Sequence, residues 1–101
     1  MAKIRKRRIR WDPSSSEGVI SYRLYWSLNG AVDYDSESAE LGKVTQVALP
    51  DDVPSFPLIE GEVDLGITAV TQAKNESDFV RFTANLDFLV PEPPKNPKLE
   101  D

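Results

Sequence analysis

Six basic side chains stand among the first ten residues: Lys3, Arg5, Lys6, Arg7, Arg8 and Arg10, with no acid between them. Such a run attracts anions, so phosphate-bearing partners (nucleic acid or anionic lipid) are the first chemistry it raises. Its context speaks against that reading. No aromatic residue interleaves the run to stack on bases, and residues 11–101 hold six bases against seventeen acids, a balance of −11. Two other readings remain. Lys and Arg on a strand at a sheet edge discourage edge-to-edge pairing, and a basic strip can also pair with the protein's own acids. Edge protection or self-association fits the sequence better than nucleic acid. Arg23 and Tyr25 join the run as a candidate binding surface, because both fall on the polar side of an alternating segment.

The remaining reactive groups offer less. Asp33, Asp35, Glu37 and Glu40 supply oxygen ligands at alternating positions, but a calcium loop wants glycine at the sixth place, where Ser38 stands. They read as a solvated loop, and Asp51-Asp52 as turn chemistry. Asn75-Glu76-Ser77 fits the N-glycosylation pattern; without a secretion signal it is read as a loop sequence. Histidine and cysteine are both absent, which removes imidazole bases, thiolate nucleophiles, disulfides and the usual zinc, copper and haem ligands. There is no nucleophile elbow and no glycine-rich phosphate loop. A carboxylate pair for glycoside hydrolysis would need a deep cleft that so small a domain does not provide. The expectation is a protein that is not an enzyme and uses no cofactor and no metal.

The elements that position these residues follow a period of two. Ile20, Tyr22, Leu24, Trp26 and Leu28 alternate with Ser21, Arg23, Tyr25 and Ser27, the pattern of a half-buried strand. Asn29-Gly30 then predicts a two-residue turn, with Ala31, Val32 and Tyr34 returning as the partner strand and Asp35–Gly42 as a polar crossover. Val63, Leu65, Ile67 and Ala69 mark another strand, and Val80, Phe82, Ala84, Leu86 and Phe88 a further one. Lys43–Leu49 is shorter, and Ile9 and Trp11 share one face of an early strand ending at Asp12-Pro13. Three prolines in Pro50–Pro57 forbid a regular element there, and four in Pro91–Asp101 predict an extended tail or linker. Residues 1–90 form the domain. Alternation places Trp11, Tyr22, Leu24, Ile67 and Phe82 at the centre of an all-β sandwich of six or seven antiparallel strands.

The order of landmarks resembles a fibronectin type III domain over about residues 8–90. Trp11-Asp12-Pro13 is similar to that family's second strand, Gly18–Tyr25 to its third with the inward Tyr22, Val63–Thr71 to its sixth, and Asn75-Glu76-Ser77 to the tight loop before its seventh. Two departures stand out. Val63 occupies the place where the family has a tyrosine tied to the preceding loop, a contact that Phe56 or Leu58 would have to replace. Ten residues before Trp11 are too few for the family's first strand and its turn. Pro93–Leu99 is similar to the proline-rich entry into such a strand, as the start of a following repeat or a strand for another copy. The resemblance implies an immunoglobulin-like interaction or spacer module that binds another protein or a neighbouring domain. It leaves open an anionic-surface binder or an ancillary carbohydrate-binding domain. No apolar run approaches the length that crosses a bilayer, and no signal peptide opens the chain. The expectation is a cytoplasmic protein, or an extracellular one if the chain is a fragment of an exported protein.

Overall fold

Apolar residues at every second position become strands because a pleated chain can then turn one face to a core and the other to water. The computed structural model describes residues 3–100; Met1, Ala2 and Asp101, at the ends of the expected domain and tail, lie outside the described residues. Six strands follow one another with no helix among those residues: β1 (Arg7–Arg10), β2 (Val19–Ser27), β3 (Glu37–Gly42), β4 (Gln46–Leu49), β5 (Glu60–Thr71) and β6 (Val80–Asp87). They form two antiparallel sheets, β1-β4 and β3-β2-β5-β6. Tyr22, Leu24 and Trp26 of β2, Val63, Leu65 and Ile67 of β5, and Leu86 of β6 meet Val47 and Leu49 of β4 in one core.

The loop between β4 and β5 completes one end of that core. Turn hydrogen bonds from Val53 to the Pro50 carbonyl and from Phe56 to the Val53 carbonyl fold it inward. Val53 and Phe56 are buried, with Phe56 between Trp26 and Phe88 at ring separations of 5.1 and 6.1 Å. Of the two residues expected to replace the missing corner contact, Phe56 is in the core and Leu58 is exposed.

Three expectations need correction. The strand beside β2 is Glu37–Gly42, not Ala31–Tyr34. Ala39 and Leu41 turn to the core, whereas Val32 satisfies its backbone with side chains: its N–H donates to Asp64 Oδ2 (2.8 Å) and its carbonyl accepts from Arg81 (2.9 Å). Ile20 is exposed, because a register shift between Val19 and Ser21 turns it away from the face that Tyr22 and Leu24 share. Trp11 and Phe82 are half-buried at the margin of the core, not its centre. The cause of the last lies in the sheets: two strands face four. Along the inner face of β6, burial falls from Leu86 through half-buried Ala84 and Phe82 to Val80, which is 66% exposed.

Candidate functional site

The two edges of the small sheet differ. On β4, Ala48 faces away from β1, and the following turn closes on it: the Ala48 N–H donates to Asp52 Oδ2 (2.8 Å) and its carbonyl accepts from the Asp52 N–H (2.8 Å). Arg8 is the register partner of Ala48. In an antiparallel pair, opposite residues point their backbone groups both inward or both outward, so those of Arg8 face away from β4. Trp11 confirms the phase, since its N–H donates to the Thr45 carbonyl (3.0 Å) and the intervening Arg10 therefore faces outward with Arg8. Beyond them β1 has no strand partner among the described residues. The same alternation sends the Ile9 and Trp11 side chains toward the core and the exposed Arg8 and Arg10 side chains outward.

Under this edge the sandwich stands open. A groove of about 660 Å³ runs between Trp11 and the start of β6, lined by Tyr22, Ile67, Ala69, Phe79 and Val80 among others. Trp11 packs edge-to-face on Tyr22, with centroids 5.7 Å apart, and its Nε1–H is buried without an acceptor among the described residues.

The basic run is therefore a strand edge and its approach. Lys3, Arg5, Arg8 and Arg10 are exposed. Lys6 forms an ion pair with Asp51 at 2.6 Å, which raises the ammonium above its ordinary pKa through a hydrogen bond and charge attraction. Both partners are solvated, so the pair adds little stability. Arg7 donates to the Asn85 carbonyl (3.2 Å), bringing the start of β1 to the end of β6.

Arg23 and Tyr25 are elsewhere. They lie on the face of the four-stranded sheet opposite the core, and Tyr25 is only 3% exposed, so the expectation of an exposed aromatic beside Arg23 is overturned. Its register partner is Gly66, where a Cβ would stand 2.7 Å from the Phe79 ring. Phe79 and Tyr34 close over this bare strip, with ring centroids 5.0 and 6.1 Å from Tyr25, and Arg81 sits 5.6 Å from the centre of Phe79. Glu76 Oε2 accepts from the Tyr25 hydroxyl (2.6 Å) and the Thr68 hydroxyl (2.8 Å), while Arg23 stands 3.8 Å from Glu76 and from Glu40. Burial first, then the bond to Glu76 and its charge, push the Tyr25 pKa up to about 12. This network ties the strand to the turn after β5 and leaves Tyr25 no free hydroxyl valence for a donor role. In sequence, the signal for it was a glycine mid-strand on the polar face, the mark of something packed close.

The acidic crossover works as a turn: Asp33 Oδ1 accepts from the Asp35 N–H (2.8 Å) and the Ser36 hydroxyl (3.3 Å). Asn75-Glu76-Ser77 lies in the tight turn between β5 and β6, where the Ser77 hydroxyl accepts from the Ala69 N–H (2.9 Å). Comparison with protein-family models, curated proteins and solved structures returned no match.

Proposed function

We propose that this chain is a non-catalytic, fibronectin type III-like module that binds another protein or a neighbouring domain along the outer edge of β1. The strand order supports the family reading: β1-β4 facing β3-β2-β5-β6 is the arrangement expected of such a sandwich without its first strand. The observation that carries the functional reading is the contrast within the small sheet. Asp52 occupies the outward backbone groups of Ala48 on β4, while those of Arg8 and Arg10 on β1 have no partner among the described residues and stand above an apolar groove. An unpaired edge of this kind takes an extended segment, with main-chain hydrogen bonds giving affinity and side chains choosing the partner. Guanidinium groups on the outward face select an acidic strand and disfavour a second basic edge.

Selection of displayed extended peptides against the immobilised chain tests this. Enriched sequences alternate apolar residues with acids, and shift the amides of Arg8 and Arg10. Peptides that map to the Tyr25 face instead would overturn the assignment. The outward pair Arg8 and Arg10 also favours a second reading, contact with a polyanion. Duplex DNA and anionic vesicles are therefore titrated in parallel; strong, salt-sensitive binding at the same amides would put that reading first.

A further inference from the structure

The chain carries a segment suited to this edge. After β6 only Phe88 is buried; Leu89 to Glu100 are exposed and outside any strand, with Leu99 97% exposed. The segment projects from its own sandwich. The molecule extends 69 Å along its longest axis, and its radius of gyration is 17.4 Å, against about 13 Å for a compact chain of this length. Prolines at 91, 93 and 94 stiffen its first part as a spacer of about 3 Å per residue.

We infer that residues 98–100 of one copy add to the open edge of β1 at its Trp11 end in a second copy, as a short antiparallel strand; the inference rests on the protein-binding reading above. Three observations converge on it. The first is the phase of the backbone. Pro97 has no N–H, so residue 97 must face away from β1, and the period of two then turns Asn96, Lys98 and Glu100 toward it. Glu100 then meets the outward groups of Arg10, and the same phase sends Leu99 inward, over the groove beside Trp11. The second is charge. The register that sets Glu100 beside Arg10 sets Lys98 beside Asp12 and Leu99 opposite Trp11, joining unlike charges at both polar positions.

The third is direction, which selects a second copy over the chain's own tail. Arg7, at the start of β1, touches Asn85 at the end of β6, whereas Trp11 shares the groove with Val80 at the start of β6. The two strands run oppositely, so the chain leaves β6 at the pole where β1 begins. From there its own tail would have to run parallel to β1, the weaker pairing. Passing along β1 would take about 17 Å before any turn or antiparallel return, and the stretch from Val90 to Glu100 reaches about 33 Å. A second copy approaching the Trp11 end enters antiparallel directly. The contact joins different surfaces on the two copies, so it propagates head to tail into open chains whose length grows with concentration.

The absence of cysteine permits a single placed label. A full-length Lys95→Cys copy carrying a nitroxide is mixed with an isotope-labelled wild-type copy at high concentration. The expected result is loss of the Arg10 and Trp11 amide signals of the wild-type copy, recovering on dilution. Lys98→Pro on the nitroxide copy, which removes an N–H facing β1, is expected to restore the signals; Pro97→Ala leaves the loss intact. All these positions are exposed in the tail, so the sandwich is unaffected. No loss in the mixture overturns the inference. So does a loss confined to the nitroxide-bearing molecule itself and insensitive to dilution, or a loss that Lys98→Pro leaves unchanged. If selected acidic peptides still shift Arg8 and Arg10 while the tail does not reach Arg10, this inference fails and the protein-binding reading stands.

Discussion

The outer edges of β4 and β1 belong to the same two-stranded sheet and meet the same problem, a row of main-chain groups with no neighbouring strand. β4 solves it locally: Asp52 turns back, takes the Ala48 N–H and returns its own N–H to the Ala48 carbonyl. β1 leaves its groups bare among the described residues and surrounds them with guanidinium and ammonium groups. The cores beneath the two edges differ accordingly. Under β4, Val47, Leu49, Val53, Phe56 and Phe88 are closed off from water; beside β1, Trp11 and Phe82 are half-buried and Val80 is exposed. Edge protection by a turn and edge protection by charge have different consequences. The first ends the sheet, while the second rejects basic strands and keeps acidic ones welcome.

The largest expected effect contrasts the two halves of the core. Phe56→Ala should cost about 3–5 kcal/mol, as for an emptied aromatic site. Phe82→Ala, on the open side, should cost about 1–2 kcal/mol because much of its surface is already wet. Urea denaturation measures both, and equal costs would mean that the groove is closed in solution.

The outer face supplies a control remote from either edge. The folded pKa of Tyr25 lies near 12, above an unfolded value of about 10, so the folded state holds this proton more tightly. The resulting stabilisation is complete below pH 10 and is lost as pH rises toward 12, on the order of 3 kcal/mol. Tyr25→Phe should remove that slope, read as the difference between the two proteins' stability-versus-pH curves, without altering the Arg8 or Arg10 amides. An unchanged slope would mean that Tyr25 is neither buried nor bonded to Glu76.

The smallest effect falls on the closed edge of β4. Asp52→Ala removes the closing contact of β4 and should cost about 1 kcal/mol. It should accelerate hydrogen exchange at Ala48 and leave Arg8 and Arg10 as they were. Protection of Ala48 that survives the substitution would show that something other than Asp52 closes that edge.

Much of this frame was legible from alternation. Leu24, Val63, Leu65 and Leu86 were read inward and are buried. What misled was apolarity without period: Val32 and Tyr34 have strand-like residue types, yet Phe79 and Gly66 draw them onto the sheet's other face, while Ala39 and Leu41 were hidden among acids. Trp11 and Phe82 were placed centrally because alternation says which way a side chain points and not how many strands cover it. Arg23 and Tyr25 were grouped with the basic run by chemistry, and only pairing reveals that they lie in different sheets.

The proposed function requires that the outer edge of β1 is open and takes a strand. Hydrogen exchange read amide by amide in the dilute chain tests it most directly. Trp11, bonded to Thr45, and Ile9, in phase with it, should be protected, while Arg8 and Arg10 exchange nearly as fast as unstructured chain. A selected acidic peptide should then slow Arg8 and Arg10 alone. If those two amides are as protected as Ile9 before any ligand is added, or stay fast when the peptide is saturating, the edge is not the binding site.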